Sequence, residues 1–316
     1  AHDTGFTQLG DNNSEILELD QDIFKKHLND LLFQYDEIDP KVCFNAINES
    51  FDKAYRQNLG NIEKVTLYHQ HNPSFFERVN FNYFYPNNKT ICVVRNPIQM
   101  LESWILNDLT KLQQISENTI SFFDTDSFSK ILNTTQNIIS TLEYFINPMN
   151  SLGNVRGVRL EDIKNNPKNF LPKLIKWIGI KEDKSLYESN FLGKKFSRSS
   201  INFSNIEGFD TQAIDAPLGR VFHPRDIQIL ETLFWPFMDE YGYTKMSKKQ
   251  FIENLKKIRP WLDKPFKFEI DLHKKLPEDT PKIEDLSELK EFRKKLIFFW
   301  KILNSNKAYR HIFKPL

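Results

Sequence analysis

The chain has 316 residues, with 43 basic against 42 acidic side chains for a net charge of +1, and only two cysteines. That length suits one large α/β domain with an extension, or two domains. The balanced charge argues against a general nucleic-acid binder or a polybasic membrane protein. Two cysteines without a Cys/His cluster argue against a disulfide framework or a metal centre and point to a reducing, cytoplasmic setting.

No secretory leader is expected, and no apolar run reaches membrane-spanning length. The segment Leu296 to Leu303 is apolar but short and flanked by charge. In chain order, the spacing of Ile23, Leu28, Leu31 and Leu32 predicts an amphipathic helix from Asp20 to about Tyr35. Phe44, Ile47, Phe51 and Tyr55 predict a second from Pro40 to about Leu59. Lys64 to Tyr68 reads as a strand ending in the polar turn His69-Gln70-His71-Asn72-Pro73, and Ser74 is placed to cap a helix through Val79.

Thr90 to Trp104 organises the chain. Ile91-Cys92-Val93-Val94 is a short, largely β-branched run, as in an interior strand of a parallel sheet. Asn96-Pro97 ends that strand and suits a first helical turn, because proline there lacks only a donor that had no partner. Arg95 is left at the sheet's carboxyl edge, where open α/β sheets bind ligands. Ser103 follows about two turns into the helix. An arginine and a hydroxyl so placed can hold a phosphate.

Beyond the helix, residues 116–127 read as a polar loop and Phe128 to Phe145 as a helix closed by Asn147-Pro148. Val155 to Leu160 is a strand, Asn166-Pro167 opens a helix through Trp177, and Gly179 suits its C-terminal cap. Residues 181–222 are loop-rich and carry Lys194, Lys195 and Arg198. Pro224 to Tyr241 is a helix that turns Ile227, Leu230, Leu233 and Phe237 to a core, with Gly242 ending it. Helices are expected again at 248–258 and 285–304. The domain expectation is an α/β domain over 1–246, a parallel sheet with helices on both faces, and a helical C-terminal extension over 247–316.

Three segments, in order, resemble the sulfotransferases that use 3′-phosphoadenosine 5′-phosphosulfate (PAPS). Val93-Val94-Arg95-Asn96-Pro97 with Ser103 is similar to the family's 3′-phosphate motif, and Tyr85-Pro86-Asn87-Asn88-Lys89 to its approach, "FPNAK". Arg159-Leu160-Glu161-Asp162-Ile163, Asn166-Pro167 and Trp177-Ile178-Gly179-Ile180 resemble "RYEDL…NP…FLGI". Gly193-Lys194-Lys195-Phe196-Ser197-Arg198 stands where the family has a basic loop that closes over the nucleotide.

The resemblance covers roughly residues 1 to 243. It implies a P-loop NTPase-like sulfotransferase fold, PAPS as donor and 3′-phosphoadenosine 5′-phosphate (PAP) as product. It also implies Arg95 and Ser103 on the 3′-phosphate, with Lys194, Lys195 and Arg198 as further nucleotide contacts.

The family also carries a Lys/Arg-Ser/Thr-Gly-Thr phosphate loop whose amides hold the 5′-phosphosulfate. His2-Asp3-Thr4-Gly5 has that outline, but Asp3 replaces the cation and would repel a sulfate. Ala1-His2-Asp3 through Leu9-Gly10-Asp11 is closer to the family's stretch after the loop's helix, "HPDI…LGE", which places the loop upstream.

His71 resembles the catalytic histidine of the "KTHLP" context and is the candidate base, with His69 and Asp11 as alternatives. An imidazole titrating near ~6.5 suits the task. The expected activity is sulfuryl transfer to a hydroxyl or amine of a small-molecule, lipid or glycan acceptor, without a metal. The alternative is a non-catalytic nucleotide-binding or scaffold module of the same fold. A P-loop kinase lacks its Gly-x-x-x-x-Gly-Lys-Ser/Thr.

Overall fold

The computed structural model describes residues 9–10, 15, 17–56, 65–69, 75–116, 123–191, 193–195, 208–209, 211, 214, 216–276, 278 and 280–316. The elements are α1 (Gln21–Leu32), α2 (Pro40–Arg56), α3 (Phe75–Phe84), β1 (Thr90–Val94), α4 (Pro97–Ser116), α5 (Phe123–Phe145), β2 (Val155–Arg159), α6 (Leu160–Asn165) and α7 (Pro167–Ile178). They continue with β3 (Asn190–Phe191), β4 (Lys194–Lys195), α8 (Pro224–Glu240), α9 (Lys248–Ile258), α10 (Lys267–His273) and α11 (Ser287–Asn306). The protein is mixed α/β and mostly helical. It forms two compact units, one of residues 1–88 with 164–211, the other of 89–163 with 212–316.

In the first unit, local chemistry starts the helices where the sequence predicts. The Asp20 carboxylate accepts from the Asp22 and Ile23 amides at 3.1 and 3.0 Å and caps α1. On α2 the buried row is Ala46, Ser50 and Ala54, the small residues, and the predicted Ile47 is exposed. Phe44 turns instead into an aromatic cluster with Tyr68, Phe81 and Tyr85, ring centroids 5.2 to 6.0 Å away. The strand expected at Lys64 to Tyr68 is not formed over the described residues 65–68. Val65, Leu67 and Tyr68 are all exposed there, and no strand pairs with them among the described residues. The C-terminal cap on α7 is as expected, with Gly179 left-handed at φ 84°.

In the second unit β1 and β2 pair in parallel, Thr90 opposite Val155 through Val94 opposite Arg159. The chain's last residues join the other side of β2. The Gly157 amide donates to the Lys314 carbonyl at 2.8 Å, and the Leu316 amide to the Gly157 carbonyl at 3.0 Å. The core packs from Cys92 and Val94 through Ile98, Leu101 and Ile105 of α4 and Ile138 and Leu142 of α5 to Leu230, Leu233, Phe234 and Phe237 of α8.

Val93 departs from the expected doubly buried strand. It is 59% exposed, whereas its neighbours Cys92 and Val94 are buried. A run of four apolar residues therefore reads alike whether one face or two are covered. Between residues 247 and 306 the chain is mainly helical, with α9, α10 and α11 joined by turns. Ser247 and Gln250 form a capping box on α9, and α9, α10 and α11 share the core of α8 rather than forming a separate one. The helix α10 was not expected. Its start is set by Asp226, whose buried carboxylate accepts from the Lys267 and Phe268 amides at 2.9 and 3.0 Å. Among the described residues no helix is long and apolar enough to cross a membrane, and no group of three or more His, Cys, Asp or Glu could hold a metal ion.

Gly157 explains how the tail is accepted. A Cβ there would collide with the Tyr241 hydroxyl and the Phe313 ring, both buried, and Tyr241 itself donates to the Phe313 carbonyl at 2.8 Å. Gly157→Ala is expected to lower the unfolding free energy by ~1–3 kcal/mol through overpacking. A urea midpoint equal to that of the wild type would contradict this packing.

Candidate functional site

Arg95 follows the last residue of β1, at the carboxyl edge of the parallel pair, as expected from the sequence. Asn96 is the residue that turns the chain. Its buried side chain accepts from the Ile98 and Gln99 amides at 3.0 and 3.3 Å, so α4 starts at Pro97 with its first donors satisfied. Ser103 lies six residues past Pro97, about 9 Å along the helix axis. Ile98, Leu101, Glu102 and Ile105 form the buried face of α4, and Gln99 and Ser103 flank it one turn apart.

Residues 216–222 lie along that flank. Gln99 Nε2 donates to the Ala216 carbonyl at 2.7 Å. Arg220 Nη2 donates to Ser103 Oγ at 3.3 Å, and Arg220 Nε to the Pro217 carbonyl at 3.1 Å. Glu102 Oε1 accepts three backbone amides, from Gly219 at 3.1 Å and from Val221 and Phe222 at 3.0 Å. Gly219 takes φ +88°, a left-handed conformation that favours glycine and turns the chain so that the 219, 221 and 222 amides reach one acceptor. The second oxygen, Glu102 Oε2, is 3.9 Å from Arg220 Nε.

The neighbouring strand end is built differently. Arg159, last in β2, stacks over the Tyr243 ring at 4.8 Å, and its Nε lies 3.9 Å from Glu161 and 3.8 Å from Asp162. Tyr243 donates to Glu161 Oε2 at 2.7 Å and approaches the Val94 carbonyl at 3.3 Å. Burial, reinforced by Glu161, pushes the Tyr243 phenol well above the usual range, so it stays a donor. Glu161 and Asp162 sit in the first turn of α6 and hold Arg159.

The structure thus brings Arg95 and Ser103 onto one strand–turn–helix and adds Arg220, which the sequence reading left without a role. Its signal was present in the Gly219-Arg220 pair just before the helix at Pro224, but a loop arginine has no periodicity to mark it. Lys194 and Lys195 belong to the other unit. Lys194 Nζ pairs with Glu15 at 2.5 Å, which raises the Lys194 ammonium pKa. The Lys195 carbonyl accepts from Gly10 at 2.8 Å. His69 is exposed in the first unit. His71, Arg198 and Asp11 lie outside the described residues. Trp104, next to Ser103 on α4, is partly exposed.

Ser103 and Arg220 meet on this flank, and Arg95 stands at the strand end that leads into the same helix; guanidinium groups and a hydroxyl are the set that recognises a phosphate by directed hydrogen bonds. The Glu102 carboxylate does not cancel them, because three amides and Arg220 draw on its charge. No protein family, no characterised protein and no solved structure matches this chain.

Proposed function

We propose that this chain is a PAPS-dependent sulfotransferase whose 3′-phosphate site consists of Arg95, Ser103 and Arg220. The observation that carries the reading is the placement of Arg95 at the carboxyl end of a parallel strand. The same helix presents Ser103, already in the hydrogen-bonding reach of a second arginine. The order of motifs adds support: strand, Arg95, helix with Ser103, then a second parallel strand leading into Glu161-Asp162. That order and the parallel register suit a P-loop NTPase-like sulfotransferase fold.

In the reaction, an acceptor hydroxyl or amine forms a bond to sulfur as the bond from sulfur to the 5′-phosphate oxygen breaks. The acceptor proton passes to a base, His71 in this reading, and PAP leaves. The residues of the α4 flank take no part in bond making. They fix the nucleotide so that the reacting atoms stay in line, and orientation of that kind supplies much of the rate in group transfer. Lys194, Lys195 and Arg198 are further candidates for the nucleotide, and the acceptor is a small molecule, lipid or glycan.

The test is a comparison of ligands that differ in one group. Adenosine 3′,5′-bisphosphate should raise the melting temperature by several degrees at 1 mM, and AMP, lacking the 3′-phosphate, by much less. A ligand held at ~100 times its dissociation constant adds about 2.7 kcal/mol. Equal shifts would remove the 3′-phosphate from the reading. No shift with either would leave a sulfotransferase-like scaffold that binds no nucleotide.

A further inference from the structure

A fully buried carboxylate beside a phosphate site calls for an explanation. Glu102 is 0% exposed, one residue before Ser103, and an anion there repels a phosphate unless it does something the site needs. Its neighbours show what that is. One oxygen gathers the amides of Gly219, Val221 and Phe222, which closes the 219–222 loop around it. The other has no hydrogen-bond partner and faces the Arg220 guanidinium at 3.9 Å. With Gln99 fixing Ala216 one turn earlier, the loop is fastened to α4 at both ends of the stretch that carries Arg220.

We propose that Glu102 is a positioning residue for the phosphate site, acting through the 219–222 loop and Arg220 and touching no ligand itself. The inference rests on the reading of Arg95 and Ser103 as a phosphate site. Four features combine here. The carboxylate is buried and cannot be replaced by water. Its three amide donors tie the loop to α4. The loop's only cation is set against Ser103 Oγ. An arginine fastened before the ligand arrives loses less freedom on binding than one recruited from solvent. The cost of the buried charge is therefore balanced by a preorganised cation.

The prediction has a sign that simple electrostatics does not give. Glu102→Gln keeps a carbonyl oxygen for the three amides but turns an amide N–H₂ toward Arg220. Removing a negative charge would by itself tighten phosphate binding. If Glu102 acts through Arg220, binding of adenosine 3′,5′-bisphosphate instead weakens about tenfold. The effect should also vanish when Arg220 is already gone, so that Glu102→Gln/Arg220→Ala matches Arg220→Ala alone.

Calorimetric titration of adenosine 3′,5′-bisphosphate into the wild type, the two single variants and the double variant reads this directly. Gly219→Ala strains the loop at its positive φ while leaving both charged side chains in place. It should reproduce the weakening even if Glu102→Gln folds poorly. Equal or tighter binding by Glu102→Gln, additive losses in the double variant, or unaltered binding by Gly219→Ala would overturn the role of Glu102. The phosphate reading would still stand if Arg95→Ala had lost affinity. Absence of binding by the wild type would overturn both.

Discussion

Arg95→Ala is expected to cost about 10²-fold or more in affinity for adenosine 3′,5′-bisphosphate, with little change in affinity for AMP. Truncating one side of a charge-assisted contact typically costs ~2–5 kcal/mol, and each 1.4 kcal/mol is a factor of ten. Arg95 carries that weight because of where β1 ends. It leaves the sheet at its carboxyl edge, and the Asn96 cap directs the next residues into α4, so the backbone beneath the guanidinium is held on both sides. Ser103→Ala should cost less, on the order of tenfold, since a neutral hydroxyl contributes about half the strength of a charged donor. Calorimetry on both variants gives the ranking. Unchanged bisphosphate affinity in Arg95→Ala would end the assignment of this site. A melting temperature close to that of the wild type would confirm that the loss is local.

The helices of this chain were legible where a capping residue and an apolar stripe agree. Asp20 opens α1, Asn96-Pro97 opens α4, and Asn147 marks the turn after α5, each by a side chain that accepts a backbone amide within a few residues. Pro224 opens α8 as expected, and Leu230, Leu233 and Phe237 face its core. These signals are local, so sequence spacing contains them. The sheet was less legible. Val65 and Leu67 alternate like a strand but pair with no strand among the described residues, Tyr68 packs on Phe44 and Phe81 instead, and Val93 reads as core but is exposed. Strand pairing is a non-local fact, and a short apolar run does not say how many faces will be covered.

The candidate site divides in the same way. Arg95 and Ser103 were readable because they sit on one strand–turn–helix at fixed spacing. Arg220 and Glu102 were not, because their meeting joins positions 117 or more residues apart and depends on a loop closing around a carboxylate. Glu102 was further masked by its type. Its spacing puts it on the stripe of Ile98, Leu101 and Ile105, but a glutamate among apolar positions reads as an interruption of that stripe rather than as part of the core. Only the three amides at 3.0–3.1 Å show why it is inside.

The largest effect on stability is expected at the buried pair of Glu269 and Arg293, between α10 and α11. Glu269 is 0% exposed, and one of its oxygens accepts from both the Phe266 amide, at 2.6 Å, and Arg293 Nη2. Arg293 lies against the Phe266 and Phe292 rings, 5.3 and 4.8 Å from their centroids. Burial raises the Glu269 pKa, and Arg293 is the chief influence opposing that rise. Arg293→Ala leaves an uncompensated carboxylate in the core and should destabilise the protein by ~3–5 kcal/mol at pH 7.5.

The sign of the pH dependence follows from the raised pKa. An acid whose folded pKa lies above its unfolded value destabilises the fold as pH rises through the folded pKa, because the unfolded chain ionises more easily. Removing Arg293 raises the folded pKa further. The deficit of the variant should therefore shrink as pH falls toward the unfolded glutamate value of about 4.3, below which Glu269 is protonated in both states. Urea unfolding of wild type and variant at pH 7.5 and pH 5.5 measures the difference. Glu269→Leu/Arg293→Met removes both charges and should recover much of the lost stability, since apolar groups of similar size often match a buried pair. A deficit that is the same at both pH values would show that Arg293 contributes through its packing on Phe266 and Phe292 rather than through its charge.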